Sequence, residues 1–530
     1  MASETLVDPE LDPSATFAVD PALVRRLTAR VVCGPRPERV VTHSPLTGAP
    51  VANLPRSTPA DVAVAYETAQ AAQRRWCRTP VSARAAVLLR LHDIVLARQP
   101  EILDLIQLES GKARVHAFEE VADVAIASRH YGRVGPRLLR PHRRAGLAPL
   151  LTQTVESHLP IGVVGIVSPW NYPFSLAVTD ALPALLAGNA VLLRPDVLTS
   201  LCALMGAELL AEAGLPDGVL QIVLGAGSTV GQAVLDRADY VCYTGSTAVG
   251  RSVAQRAAMR LVGASLELGG KNSLYVRADA DLDRAVLGIT RSAFSSAGQL
   301  CMHTERVVVD ASVADELLAK LVPAVEAMRL GAELAFGPDM GSLMSKSQLT
   351  RVTEHVEDAR AKGARVLAGG RPRPELGPYF YEPTLLEGVT PAMSCSGEET
   401  FGPVVAIYRV SGDDEALALM NDTEYGLHAS IFSRDVRGAR SLARRVRTGT
   451  VSINEGYLVT WGSVAAPLGG MKQSGIGRRH GAEGLLRFTE PQNVSAQHGP
   501  MIGPIGSMSQ EQFAAGLTKA LRAMKALGRP

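Results

Sequence analysis

Four short, almost wholly apolar runs, at 161–168, 190–193, 219–224 and 240–243, each lead into a turn carrying Gly or Pro. Such runs predict strands buried on both faces, the kind found in parallel sheets. Parallel strands need crossover connections, and a helical pattern over 199–213 lies between two of them. The chain is thereby constrained to a layered α/β fold, with ligands expected beyond the carboxyl ends of its strands.

Two of the turns look like nucleotide motifs and fail the test of spacing. Gly225, Gly227 and Gly231 give G-x-G-x-x-x-G, which is not the usual dinucleotide fingerprint. Gly245 to Ser252 nearly spells a P-loop, but Arg251 stands where that loop needs Lys, so a nucleoside-triphosphatase reading is poor. What remains is a strand-to-helix turn whose free N–H groups suit an anion.

The amino-terminal region, 1–45, carries Pro9, Pro13, Pro35 and Pro37 and reads as a surface arm with a short helix through Leu23, Leu27 and Val31. A helix then starts with Thr58 as N-cap and Pro59 at its first position. A second runs from about Ala86 towards Leu108, and a third spans about 116–132, with Glu109-Ser110-Gly111-Lys112 as the break between them. Residues 151–158 alternate as a strand. Beyond Cys301 a second α/β unit is expected, with a strand at 305–309, helices over 313–328 and 347–362, and a strand at 365–368.

The net charge of +2 gives no bias towards nucleic acid or membrane. Six cysteines without CxxC pairing argue against a disulfide framework or a metal site and fit a reducing cytoplasm. Residues 1–20 lack the pattern of a signal peptide, and no apolar run approaches a membrane span.

The chemistry is concentrated between Glu267 and Cys301. Leu266-Glu267-Leu268-Gly269-Gly270-Lys271-Asn272 opens the stretch and Ser295-Ser296-Ala297-Gly298-Gln299-Leu300-Cys301 closes it. A lone cysteine is more often a small core hydrophobe than a nucleophile, and a lone glutamate is usually structural. Both flanks together, however, resemble the two active-site motifs of the aldehyde dehydrogenase superfamily. Pro169-Trp170-Asn171-Tyr172-Pro173, Gly245-Ser246-Thr247, Glu398-Glu399-Thr400-Phe401-Gly402-Pro403 and Pro467-Leu468-Gly469-Gly470-Met471-Lys472 extend the likeness over about 45–495.

The resemblance implies a cysteine nucleophile at Cys301, a general base at Glu267, and an oxyanion donor at Asn171 beside the Cys301 backbone N–H. It implies cofactor contacts from Trp170, Asn171, Gly245, Ser246, Leu268, Glu399 (to the nicotinamide-side ribose) and Phe401. Arg194 and Asp196 stand where the family usually has Lys-Pro-x-Glu, and Val197 replaces the Glu that would repel a 2′-phosphate. NADP or NAD is therefore expected, with a lean to NADP; no metal is.

The implied fold is a Rossmann-type cofactor domain with an α/β catalytic domain and a small β oligomerisation flap. The expected division is an arm at 1–45, a cofactor domain at 46–135 and 159–265, a catalytic domain at 266–485, a flap at 140–158 and 486–498, and a helical extension at 499–530. Exposed flap strands need pairing, hence a homodimer or homotetramer. The extension carries an apolar face of Phe513, Leu517, Leu521, Met524 and Leu527 with Lys519, Arg522 and Lys525 elsewhere. Docking on its own body or a neighbouring subunit is expected rather than membrane binding.

Within the superfamily, Asn454-Glu455-Gly456-Tyr457 and Arg478-Arg479-His480-Gly481 resemble the actinobacterial succinate-semialdehyde dehydrogenase 2 group. The reaction implied is oxidation of an aldehyde, first of all succinate semialdehyde, to its acid through a thiohemiacetal and a thioester on Cys301. The arginines that hold the substrate carboxylate in established enzymes of that activity are Ser295 and Thr179 here, with His303 or residues near Tyr457 and Trp461 as substitutes. A broad-range or apolar aldehyde is the alternative. A coenzyme A-acylating enzyme, which commonly lacks the base at Glu267, and a non-catalytic binding homologue are the other readings.

Overall fold

The computed structural model describes residues 19–147 and 151–528. Two mixed sheets with helices on their faces make up most of the molecule. The first contains β1 (Val163–Ser168), β2 (Ala190–Pro195), β3 (Leu220–Ile222), β4 (Tyr240–Thr244) and β5 (Gly263–Glu267), all parallel. The second contains β6 (Asn272–Val276), β7 (Thr304–Asp310), β8 (Arg365–Ala368), β9 (Thr384–Glu387), β10 (Val404–Val410), β11 (His428–Phe432) and β12 (Thr450–Ile453). Its spatial order is β8-β9-β10-β7-β6-β11-β12, with only the edge strand β8 antiparallel. A late strand, β13 (Gly475–Ile476), returns to the first sheet and pairs antiparallel with β5, giving the order β13-β5-β4-β1-β2-β3.

Burial explains the apolar runs: every residue of β1, β2, β4 and β6 is buried. The helix Pro173–Ala187, apolar nearly all round, is buried along its whole length between the first sheet and its covering helices. Val31, in the N-terminal segment, forms an isolated parallel bridge with Ile222 of β3.

Several expectations are met and several corrected. Thr58 and Asp61 form a capping box at the head of Pro59–Trp76. The helix expected from Ala86 to Leu108 is two helices, Val81–Ala97 and Gln99–Ser110, because Pro100 cannot continue the first helix's hydrogen bonds. The third helix is longer than expected, Arg114–Leu138, and β3 is shorter, Leu220–Ile222.

The surface-arm reading of 1–45 needs correction where it can be checked. Leu27 is completely buried and, with Val24 and Val31, joins the core of the first sheet. Residues 1–18, including most of the stretch inspected for a signal peptide, lie outside the described residues.

Strands His142–Arg144, Thr152–Pro160 and Thr489–Gln497 form a separate three-stranded antiparallel sheet. Thr489–Gln497 is an edge strand and almost entirely exposed. The helix Gln510–Ala526 is well capped by Ser509 and Gln512, yet none of its residues is buried. Docking on its own body is thereby overturned. No helix among the described residues is long and apolar enough to cross a membrane.

Because Leu27 is fully enclosed, Leu27→Ala is expected to destabilise the protein by about 2–5 kcal/mol. A urea unfolding midpoint equal to wild type would show that the N-terminal helix is not integral to this core.

Candidate active site

The strands position the site through their carboxyl ends. β1 delivers Pro169-Trp170-Asn171-Tyr172, β4 delivers Gly245-Ser246 at the head of the helix Thr247–Met259, and β5 ends on Glu267 itself. The helix Leu282–Phe294 feeds the turn Ser295–Gly298 and then Cys301. These loops enclose a cavity of about 400 Å³, in the usual range for a ligand site.

Nine of the eleven residues singled out in the sequence line this cavity. Asn171, Glu267 and Cys301 are there, as are Trp170, Gly245 and Ser246. Leu268, Glu399 and Phe401 complete the nine. Arg194 and Asp196 do not line it. Arg194 is buried and donates from Nε and Nη2 to the Gly225 carbonyl, at 2.9 and 2.7 Å, so it braces the 225–231 turn instead. Asp196 accepts from the Leu198 N–H at 3.1 Å and lies 3.7 Å from Arg194, so its carboxylate is engaged locally.

Glycines make the close approaches possible. A side chain at Gly269 would collide with the Glu399 carboxylate, and one at Gly298 (φ 71°) with the Gly402 carbonyl. The sequence motif is thus a requirement for space.

The charge environment is unusual. Burial pushes the Cys301 thiol up to about 12, and the nearby Glu267 carboxylate adds to the rise while Arg479 opposes it. Burial likewise raises Glu267 to about 7, against the pull of Arg479 and Arg487. Glu267 Oε1 is buried without a hydrogen-bond partner. A carboxyl group poised near neutrality beside a thiol is a candidate proton acceptor.

The supporting residues were not evident from sequence. Lys112 Nζ donates to Glu120 Oε1 and to the Asn171 carbonyl, both at 2.6 Å, while Glu120 accepts from the N–H groups of Phe174 and Ser175 at 2.9 Å. This fixes the Asn171 loop, whose side-chain amide donates to the Gln299 carbonyl at 2.9 Å. Lys271 pairs with Glu305, and Glu305 accepts from the N–H groups of Thr400 and Phe401 at 2.9 and 3.0 Å, fixing the Glu399 loop. Against the effect of burial, Lys271 and His303 hold Glu305 well below the usual carboxylate range. A lysine inside an otherwise small or apolar turn, as at Lys112, was the available signal.

The cavity fits a dinucleotide. Gly245 and Ser246 present the amino end of a helix, suited to a pyrophosphate. Glu399 accepts from the Gly270 N–H through Oε1 at 2.7 Å. Thr244 Oγ1 and Ser168 Oγ, at the carboxyl ends of β4 and β1, are buried without partners. No group of three or more His, Cys, Asp or Glu among the described residues could hold a metal ion.

Cys301 packs against an apolar cluster that includes Tyr172, Leu176, Met302, Tyr457 and Trp461, of which Leu176 also lines the cavity. Ser295 and Thr179 are buried. His303 does not substitute for the missing arginines. It is fully buried, bound through Nδ1 to the Leu300 carbonyl at 2.6 Å and 3.2 Å from Glu305 through Nε2.

The sequence matches the aldehyde dehydrogenase family over residues 34–494. The chain belongs to that family. It is 47% identical over 513 residues to a Mycolicibacterium smegmatis protein, covering 97% of this chain and 99% of that one; the relative's name is "Putative succinate-semialdehyde dehydrogenase", with NADP(+) as its cofactor. A Mycobacterium tuberculosis protein with a name of the same kind is 48% identical, covering 89% of this chain and 91% of that one. The crystal structure of an E. coli NADP-dependent enzyme superposes with a TM-score of 0.83 at 32% identity, covering 87% of this chain and 95% of the other.

Since the Glu267 charge raises the Cys301 thiol, Glu267→Gln is expected to lower the thiol pKa and speed alkylation of Cys301 by iodoacetamide at neutral pH. An unchanged rate profile, read by mass spectrometry of the Cys301 peptide, would remove Glu267 as a cause.

Proposed function

We propose that this protein oxidises an aldehyde to its carboxylic acid with NADP, using Cys301 as nucleophile and Glu267 as base. The observation that carries the proposal is that Cys301, Glu267 and Asn171 line one cavity together with the strand-end turns suited to a dinucleotide. Cys301, as thiolate, adds to the aldehyde carbonyl. The oxyanion is held by the Asn171 amide, which keeps a second N–H beyond the one given to Gln299, and by the Cys301 backbone N–H. NADP held by these turns would supply the hydride acceptor for this oxidation. The thioester left on Cys301 is attacked by water, whose proton Glu267 takes, and the acid leaves.

Trp170, Gly245, Ser246, Leu268, Glu399 and Phe401 hold the cofactor in this scheme. Support for NADP comes from the relatives' names and from the local engagement of Asp196, which leaves Val197 at the position of the usual repelling carboxylate. The domain division proposed is 46–135 with 159–265 for the cofactor and 266–485 for catalysis, with 140–158 and 486–498 as the flap. A homodimer or homotetramer is proposed because Thr489–Gln497 is an exposed strand edge, and a cytoplasmic setting because six free cysteines suit it.

Succinate semialdehyde is the substrate the relatives' names support. A second reading, a broad-range or apolar aldehyde, is favoured by one observation. Among the described residues the only basic side chain lining the cavity is Arg351, and its Nη2 is engaged by the Glu399 carbonyl at 2.5 Å rather than free to pair with a substrate carboxylate. NADPH and NADH formation with succinate semialdehyde, hexanal and a betaine-type aldehyde separates the two. No reduced cofactor with any aldehyde would sink the proposal.

Asn171→Ala is expected to lower kcat by about 10²–10³-fold. With Glu267 raised to about 7, turnover is expected to fall as pH drops through about 7 and the base is protonated. Glu267→Gln is expected to keep a single-turnover burst of reduced cofactor and lose steady turnover. A full steady rate in that variant would assign the base elsewhere.

A further inference from the structure

The turn that presents Cys301 is strained, and what holds it is a hydroxyl network. Ser296, Ala297 and Gly298 all take left-handed backbone conformations, with φ of 50°, 54° and 71°. Two of these residues carry side chains, and such conformations persist only where the surroundings over-determine them.

The over-determination comes from the helix Arg114–Leu138. The Ser296 N–H donates to His116 Nδ1 at 3.2 Å. Ser296 Oγ donates to Tyr172 Oη at 3.0 Å, and Tyr172 Oη donates to Glu119 Oε2 at 3.1 Å. Tyr457 Oη lies 2.8 and 2.9 Å from the two Glu119 oxygens, and Ser295 Oγ lies 2.6 Å from Tyr457 Oη. Burial raises Glu119 to about 7; in its ionised form it only accepts, and both tyrosines then donate to it. Each phenol has one proton, and Ser295 must therefore donate to Tyr457. Two chains of the form serine, tyrosine, carboxylate converge on one side chain.

We propose that Glu119 is a positioning residue for the nucleophile: by terminating both chains it holds the left-handed turn that aims Cys301 into the cavity. The inference rests on Cys301 being the nucleophile, as proposed above. Glu119 is not among the cavity-lining residues; it acts through Tyr172 and Tyr457, whose rings stand in the apolar cluster against Cys301.

Three variants of the full chain test this. Glu119→Gln replaces one acceptor oxygen with a donor, so one tyrosine loses its partner. Glu119→Asp keeps both acceptors on a shorter arm. Tyr457→Phe cuts one chain while leaving the carboxylate in place, and it serves if Glu119→Gln does not fold. Each is assayed in two ways: steady-state oxidation of whichever aldehyde the wild type uses best, and the rate of iodoacetamide alkylation at Cys301 without substrate. Misplacing a reacting group by a fraction of its reach costs rate steeply, so Glu119→Gln and Tyr457→Phe are expected to lower kcat roughly ten- to a hundred-fold. KM for NADP should stay at the wild-type value, alkylation of Cys301 should change, and Glu119→Asp should recover part of kcat.

Wild-type kcat and alkylation rates in both Glu119→Gln and Tyr457→Phe would overturn the proposal. So would a parallel loss of stability and of NADP binding that Glu119→Asp fails to relieve, because that marks a packing role alone. A wild type that oxidises no aldehyde would instead defeat the proposed function, and the alkylation arm would still decide whether Glu119 sets Cys301.

Discussion

The buried ion pair between Lys112 and Glu120 is the contact on which the geometry of the site depends. Its atoms are 2.6 Å apart and both side chains are almost completely removed from water. Two charges so enclosed are costly unless every remaining donor and acceptor is used, and here they are nearly all used. The ammonium also meets the Asn171 carbonyl and sits 3.7 Å over the Tyr172 ring, while the carboxylate closes the amino end of the next helix. Removing either partner would strand the other. The loop from Trp170 to Tyr172 thus inherits its shape from Lys112 and Glu120, whose contacts here span 59 and 54 residues of sequence. Lys271 and Glu305 repeat the arrangement on the other side of the cavity, fastening the Glu399 loop.

With loops fixed this way, the reactive groups can sit in an environment that suits neither of their charged forms. The thiol of Cys301 and the carboxyl of Glu267 are both shifted towards neutrality by burial, and the Glu267 charge further discourages the thiolate. The free protein therefore keeps its sulfur protonated. A positive charge brought into the cavity would relieve both at once, which couples readiness for chemistry to occupancy of the cavity.

Much of this was legible in the sequence, and the remainder has a physical explanation. Buried parallel strands betray themselves by continuous apolar runs, and glycines forced by close approach leave motifs that survive as text. Nine of the eleven site residues singled out from those motifs meet in one cavity. Arg194 and Asp196 lie outside it, where the guanidinium of Arg194 serves the Gly225 carbonyl and the Asp196 carboxylate serves the Leu198 N–H. Glu119 and Glu120 on their helix, and Lys112 in the turn before it, carry no such mark, since a charged residue looks solvated until the partner that buries it is known. Pro100 has no N–H to continue the helix Val81–Ala97, and a new helix starts at Gln99. Leu27 looked like part of a loose arm because its partners, from the first sheet and its covering helices, are remote in sequence.

The return of the chain to its first sheet governs when the molecule can become whole. Strand β5 ends on Glu267, but its outer edge is closed only by Gly475–Ile476, and the strand Thr152–Pro160 waits for Thr489–Gln497. Asp180, inside the central helix, likewise receives its counter-charges from Arg479 and Arg487. At a synthesis rate of about 5–20 residues per second, those edges stay open for roughly ten seconds to a minute. A nascent chain truncated before residue 475 would carry Cys301 and Glu267 in place and still expose the unpaired backbone of β5. The last tenth of the chain thus acts as the clasp that closes the edges made before it.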